Sequence, residues 1–550
     1  MRGRNLALQT CAAAAAFWLG TVDGGSAQAP SPAASFVAPP RSIADITAIL
    51  DQEKPDPSKF AKREADANAE PPNAQGQKLG EFYYRRCQAR ALLGRSRDAI
   101  ADCEKAISLG GDYVDHVSRV QQFIETQYRQ VGDFQNSEKV LQTMIGNFAN
   151  QNRGRQPNLF LRGTVSALQQ GDLARAQSYV NKANAFLNES RGWPNEKVGQ
   201  FRSTWEANVE DARARLNENR GLYREAEAGY RRARMLQIDS LGKSSTWPSA
   251  PPREQFELSI DYLTAFEGRT KMKQGRHAEG EADVRRALLS RLRANGKYNV
   301  DTAQFINQFA FLLNEQARWA ETEKLQRTVV EIYQTLGYPD DTNASVGARN
   351  LLATSLFTQR RYDEANAIYA SMDESMKNWD DKRRARYRYG WSRIFTAYAT
   401  RDLEKGIALA REYVALEKKR VGDKHYDTAQ AQAMFATGLV FARKDAEAAE
   451  LFKTAIPVML GATRESGDDE NNAVAASDNR LQNVFEAYMA LLARSPDASA
   501  AGESFRLGDR IRGGSVERAL AASSARAAAK TPALADLARQ EQDLQKQIGA

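Results

Sequence analysis

Two cysteines and three histidines are the residues of this chain with the most readily usable chemistry. A thiolate beside an imidazole is a nucleophile, and the same side chains bind transition metals. Cys87, Cys103, His116, His277 and His425 provide them, once Cys11 in the N-terminal apolar run is set aside. Their spacing supports neither use. The histidines fall in three separate segments, and no C-x-x-C or H-x-x-x-H pair begins a metal site. Gly513-Gly514 alone is too little for a phosphate loop. No catalytic residue, metal or cofactor is therefore expected.

The cysteines suit a structural role. Each occupies a packing position, and together they lie across one predicted helical hairpin. Closing that loop as a disulfide would stabilise the fold by roughly 3 kcal/mol in the chain-entropy model, provided the α-carbons lie within about 7 Å. Helix axes ordinarily stand ~8–10 Å apart. The sequence leaves a Cys87–Cys103 disulfide and two buried thiols equally open.

The elements that must position any site are repeats. Arg220 to Ala233 is the template: Gly221 permits a tight turn, Tyr223 starts a helix, and Ala226, Tyr230 and Ala233 share one face of it. Small residues let antiparallel helices approach closely, and the larger central residue fills the space between them. The same spacing returns as Ala99, Cys103, Ala106; Ser137, Leu141, Met144; Ala176, Val180, Ala183; Gly280, Val284, Ala287; Thr322, Gln326, Val329; Ala365, Tyr369, Met372; Gly406, Ala410, Tyr413; and Ala448, Phe452, Ala455. That makes nine units. A tenth, degenerate one uses Ala501, Phe505 and Gly508.

These units resemble tetratricopeptide (TPR) repeats. The resemblance implies an all-α solenoid of helical hairpins, a right-handed superhelix that binds a protein or peptide in its concave groove. From the fifth unit on, the spacing is about 42 residues, longer than the ~34 of the simplest repeat, and similar to kinesin light chain repeats. Repeat alignment places Asn307, Phe311 and Asn314 of the sixth unit, Asn350, Thr354 and Phe357 of the seventh, and Trp391, Phe395 and Tyr398 of the eighth on the groove. Asn307 and Asn350 match one repeat apart, as in the asparagine ladders of that family. An amide both donates and accepts, so it can pair with any peptide backbone. The competing reading of the aromatics is packing between repeats.

The chain divides into a signal peptide at 1–29, a Pro/Ala-rich tether with one short helix at 30–77, repeats one to four at 78–240, repeats five to nine at 253–460, a degenerate repeat at 478–510 and a connector with a heptad helix at 511–550. Arg2 and Arg4, the apolar Leu6 to Leu19 and Ala27-Gln28-Ala29 make the signal, cut near Ala29. They predict a periplasmic or secreted protein. In the tether, Ser42 and Asp45 form a capping-box-like pattern around Ile43, Ile46, Ile49 and Leu50, and Pro55 and Pro57 end that helix. The joint from Ser240 to Pro252 could bend the array or leave it continuous.

Across 550 residues the net charge of +8 is spread without a dense basic block, which disfavours nucleic acid. Arg506, Arg510, Arg512 and Arg518 read as a solvated helix face. The stretch Arg512-Gly513-Gly514-Ser515-Val516-Glu517-Arg518-Ala519-Leu520, followed by an Ala-rich helix, resembles the connector of bacterial CHAT proteins, in which TPR repeats precede a caspase-like protease. That resemblance implies a sensing or adaptor region, or the front of a protease whose catalytic domain lies beyond Ala550. A third reading is a scaffold self-associating through the stripe Leu534, Leu537, Leu544 and Ile548.

Overall fold

The computed structural model describes residues 38–550, apart from 111–113, 151, 248–250, 466–473, 512–533, 535–536 and 538–550. The signal peptide and most of the connector, Leu544 and Ile548 included, therefore lie outside the described residues. Those described are helical, with no strand among them.

Ten hairpins follow one another: Gly76–Leu92 with Ser96–Leu109, Val114–Gln130 with Phe134–Asn147, Gln156–Gln169 with Leu173–Ser190, Asn195–Asn219 with Tyr223–Lys243, and Arg253–Lys273 with His277–Asn295. Next come Val300–Glu315 with Trp319–Thr335, Asn343–Thr358 with Tyr362–Ser375, a broken pair Asp381–Arg388 and Trp391–Ala399 with Leu403–Val421, Tyr426–Phe441 with Asp445–Glu465, and Val474–Leu492 with Ser499–Ile511. In units one to nine every predicted inner position is buried except Tyr413, which is half-buried. The tenth unit is one residue out of register with expectation. Ala500 and Leu507 are buried there, whereas Phe505 is 77% exposed. Alanine-rich sequence offers two small residues, Ala500 and Ala501, at the position that sets the register.

A single turn geometry recurs in nine units. Two residues ahead of each second helix the chain is left-handed: Gly94, Gly132, Gly171, Gly221 and Gly275, then Ala317, Arg360, Arg401 and Arg443. The next amide closes a wide turn back onto the first helix, as in Arg95 N to Arg90 O at 2.9 Å and Arg318 N to Leu313 O at 3.0 Å. A side chain in this conformation costs about 1–2 kcal/mol, and glycine's looser unfolded state returns roughly 0.5–1 kcal/mol of any relief. Ala317→Gly is therefore expected to stabilise the chain by about 0.5–1 kcal/mol. Guanidinium denaturation checks it; a loss of stability would mean that this turn carries no strain.

The joint after Ser240 leaves the stack unbroken. The second helix of unit four runs on to Lys243, and Trp247, 7% exposed, packs its ring on Phe201 and Phe256. Ala214, Tyr230, Leu263 and Phe266 form one core cluster across it.

The tether holds two helices, Ala44–Gln52 and Pro57–Asn68, where one was expected. Pro57 starts the second instead of ending the first: its fixed φ suits a first helical turn, and Asp56 Oδ1 accepts from Ser58 N at 3.0 Å. Nor does Asp45 close a capping box. It pairs with Arg285 at 2.5 Å, because Ile43, Ile46 and Leu50 bury the first helix against units five and six. Ile49 stays 41% exposed.

The solenoid also touches itself. The turn of unit one lies against the segment after unit six, where Gly94 packs on the Tyr338 ring and Arg97 pairs with Asp341 at 4.0 Å. In unit two the Gln130 carbonyl accepts from Asn343 Nδ2, and Gly132 packs on the Arg383 side chain. A Cβ at Gly94 would meet Tyr338, and its φ of +68° already favours glycine.

Candidate functional site

The first helices of units six to eight place the predicted groove residues, and the structure separates these into two groups. Asn307, Asn314 and Asn350 are half-buried, and Phe311 is 37% exposed. The Oδ1 atoms of Asn307 and Asn314 have no hydrogen-bond partner, nor does Gln308 Oε1 beside them. Phe311 lies 5.6 Å from Lys273 Nζ, a cation over its ring. The first helix of unit ten, Val474–Leu492, returns to approach Val300–Glu315 within 8 Å between α-carbons.

Units seven and eight are packed more tightly. Thr354 Oγ1 lies 3.0 Å from Ser392 Oγ, which is 2.8 Å from the Tyr369 hydroxyl, so Thr354 belongs to a bond chain between repeats. Phe357, Phe395 and Tyr398 are 5–6% exposed. The Tyr398 hydroxyl donates to Met434 O at 3.1 Å, and burial pushes its phenol above the ordinary value. Gly406 and Gly438 are glycines because the Tyr398 ring occupies the space a Cβ would need.

Together these side chains form a continuous aromatic run. Tyr362 lies 5.5 Å from Phe357, Phe357 4.7 Å from Trp391, Trp391 5.5 Å from Phe395, Phe395 5.5 Å from Tyr398 and Tyr398 5.7 Å from Phe441, between ring centroids. Part of the run lines an open cavity of about 360 Å³ with Leu403 and Arg401 at its edge. Trp391 Nε1 has no hydrogen-bond partner. A cavity of this size admits one or two side chains of a ligand, with apolar walls to bind them and Arg401 and Asn483 as its polar lining. Trp391 stands behind the wall, its ring against Phe357 and Phe395 and its Nε1 buried. Asn307 and Trp391 stand in different units, on the first helices of units six and eight.

Tyr362, Leu403 and Phe441 escaped the sequence reading. Repeat alignment carried no signal for Phe441: the position of Phe357 and Tyr398 falls on Val440 in unit nine, and Phe441 is one residue further along. Tyr362 and Leu403 open second helices, where the groove rule does not look.

Among the described residues no group of three or more His, Cys, Asp or Glu side chains could hold a metal, and no helix is long and apolar enough to cross a membrane. Cys87 and Cys103 are fully buried and joined, with α-carbons 5.5 Å apart.

No protein-family model matches the chain, and no curated protein does. Several solved structures do. The crystal structure of a Rap protein complexed with competence and sporulation factor aligns at TM-score 0.39 and 12% identity, over 65% of this chain and 99% of that one. Yeast Tom70 aligns at 0.28 and 10%, over 80% and 96%. A putative kinesin light chain of Podospora anserina with TPR-like repeats aligns at 0.21 and 14%, over 46% and 97%. The fold is a TPR-type helical-hairpin solenoid. Within this solenoid the candidate site occupies the first-helix side of units six to nine.

Proposed function

We propose that this TPR-type solenoid is a binding scaffold that takes a peptide or protein segment on the first-helix side of units six to nine. The aromatic run from Tyr362 to Phe441 carries the reading. Aromatic side chains around a cavity supply most of the affinity in typical interfaces. Asn307 and Asn314 support it as half-buried amides along the same helix face; their Oδ1 atoms are buried and without a partner, so an extended backbone would have to uncover them to donate to them. Asn350 continues that line. The bound segment would be anchored by apolar side chains in the cavity and held along its backbone by the asparagines.

Peptides selected from a displayed random library against the full chain test this. Trp391→Ala is expected to weaken the selected peptides at least tenfold, and Asn350→Ala less, with helicity unchanged by circular dichroism. Binding that ignores Trp391→Ala and Asn307→Ala alike would sink the reading.

The connector's likeness to CHAT proteins and the N-terminal signal extend the proposal: an exported sensing or adaptor region. A second reading rests on Leu534 and Leu537, which are 53% and 61% exposed. Through them two copies would associate, and Leu537→Asp would convert an oligomer to a monomer in light scattering.

A further inference from the structure

The helix Ala44–Gln52 lies far in sequence from what it touches. It rests in the cleft between the second helices of units five and six, His277–Asn295 and Trp319–Thr335. Ile43, Ile46 and Leu50, at 4%, 0% and 1% exposure, enter one apolar cluster with Val284, Leu288, Leu292 and Leu325. Phe309, whose ring lies 5.2 Å from the Arg285 guanidinium, belongs to the same cluster.

Polar ties ring the apolar centre, mostly with acid on the helix and base on the cleft. Asp45 pairs with Arg285 at 2.5 Å and Asp51 with Lys324 at 3.1 Å, while Glu53 accepts the Lys297 amide at 2.7 Å. Arg285 also reaches the Ser42 carbonyl at 3.1 Å and Glu281 at 2.9 Å. Glu321, the one acid of the cleft that faces the helix backbone, accepts from Ile43 N at 3.0 Å, where the unpaired amide and dipole of a helix start favour negative charge.

A nine-residue helix has almost no stability alone in water. Ala44–Gln52 is therefore folded by the cleft, and the cleft selects chemistry: apolar side chains at i, i+3 and i+7, with acids at i+2, i+8 and i+10. We propose that this cleft is a recognition site for an acidic amphipathic helix of a partner protein, and that Ala44–Gln52 is its occupant within the chain, displaced when such a helix binds. The site is separate from the first-helix side and does not depend on the function proposed for it. Being tethered, the internal helix competes at an effective concentration near millimolar. Only a partner helix that outbids three apolar knobs and their acids gains entry.

The test uses the full chain and a fluorescein-labelled synthetic peptide of residues 41–54. In the Ile46→Asp chain the internal helix is released, and the peptide is expected to bind in trans at least 100-fold more tightly than to the wild-type chain. Reversing Asp45, Asp51 and Glu53 to Lys in the peptide is expected to abolish binding, and raising salt to weaken it. Arg285→Ala in the released chain is expected to weaken binding at least tenfold. Lys324→Glu, at a half-exposed site whose change cannot unfold the chain, should do so by a few fold. Equal binding to released and wild-type chains, indifference to the charge reversal, or no binding to the released chain would overturn the proposal. A wild-type chain that runs as a dimer and becomes monomeric on Ile46→Asp would also overturn it, assigning the cleft to the helix of a second copy.

Discussion

Glu267→Ala is expected to destabilise the chain by about 1–3 kcal/mol, the cost of losing charge-assisted hydrogen bonds at a buried carboxylate, since half-exposed Arg231 and buried Lys271 keep Glu227 and Asp283 as partners. Glu267 is 3% exposed on the first helix of unit five. It accepts from Arg231 Nε and Arg234 Nε of unit four, each at 3.0 Å, and lies 3.4 Å from Lys271 Nζ. Three bases thus converge on one carboxylate, and two of them, Arg231 and Arg234, reach it across the joint that the sequence marked as a possible bend. Burial pushes Glu267 up, but Arg234, Arg231 and Lys271 outweigh it and hold the carboxyl below its ordinary value of 4.5. With a folded value below the unfolded one, its contribution is complete above about pH 4.5 and is lost as the pH falls through the folded value. Glu267→Gln should flatten the acid side of the stability profile, and hydrogen exchange should rise in the helices that meet at the joint. A change under about 0.5 kcal/mol for Glu267→Ala would show that water already compensates the three bases.

Reduction of Cys87–Cys103 is the second large effect, at about 3 kcal/mol for a loop of 16 residues. The bond ties the two helices of the first unit, which has a repeat on one side and the tether helix Pro57–Asn68 on the other. Both cysteines are fully buried, so reduction should be slow in the folded chain and fast in denaturant. Thermal unfolding with and without a phosphine reductant measures the difference, and Cys103→Ser should match the reduced chain. Recovery of both as free thiols in a non-reducing peptide map of the native protein would end the prediction.

The repeat architecture was legible because its signal is local and redundant. The inner triplet depends only on spacing along one helix, and burial follows it in nine units, including Gln326, whose type argues against a core and which is fully buried. Left-handed turns were half legible. Five carry glycine, whereas Ala317, Arg360, Arg401 and Arg443 adopt the same conformation through the packing around them. Contacts distant in sequence were invisible. Nothing in Ile43, Ile46 and Leu50 names Leu288 and Leu325 as their neighbours, and nothing in Gly94 points to Tyr338. At the candidate site, alignment put residues on the first helices of units six to eight but could not say which aromatic would be floor and which would be exposed: Phe395 is buried, while Phe441, unnoticed, is 47% exposed.

Self-contact alters how such a chain should fold. An open array couples each repeat only to its neighbours, so it can nucleate anywhere and lengthen like a zipper. Here Gly94 waits for Tyr338, Gln130 for Asn343 and Asp45 for Arg285, and each pairing closes a loop of more than two hundred residues. Loop closure of that length must precede the reward, which slows the final step and makes it cooperative. Truncation from the C-terminal side should therefore be punctuated: losing units nine and ten removes their contacts with units six to eight and leaves the first two units in place, whereas cutting into unit six or seven unsettles those as well.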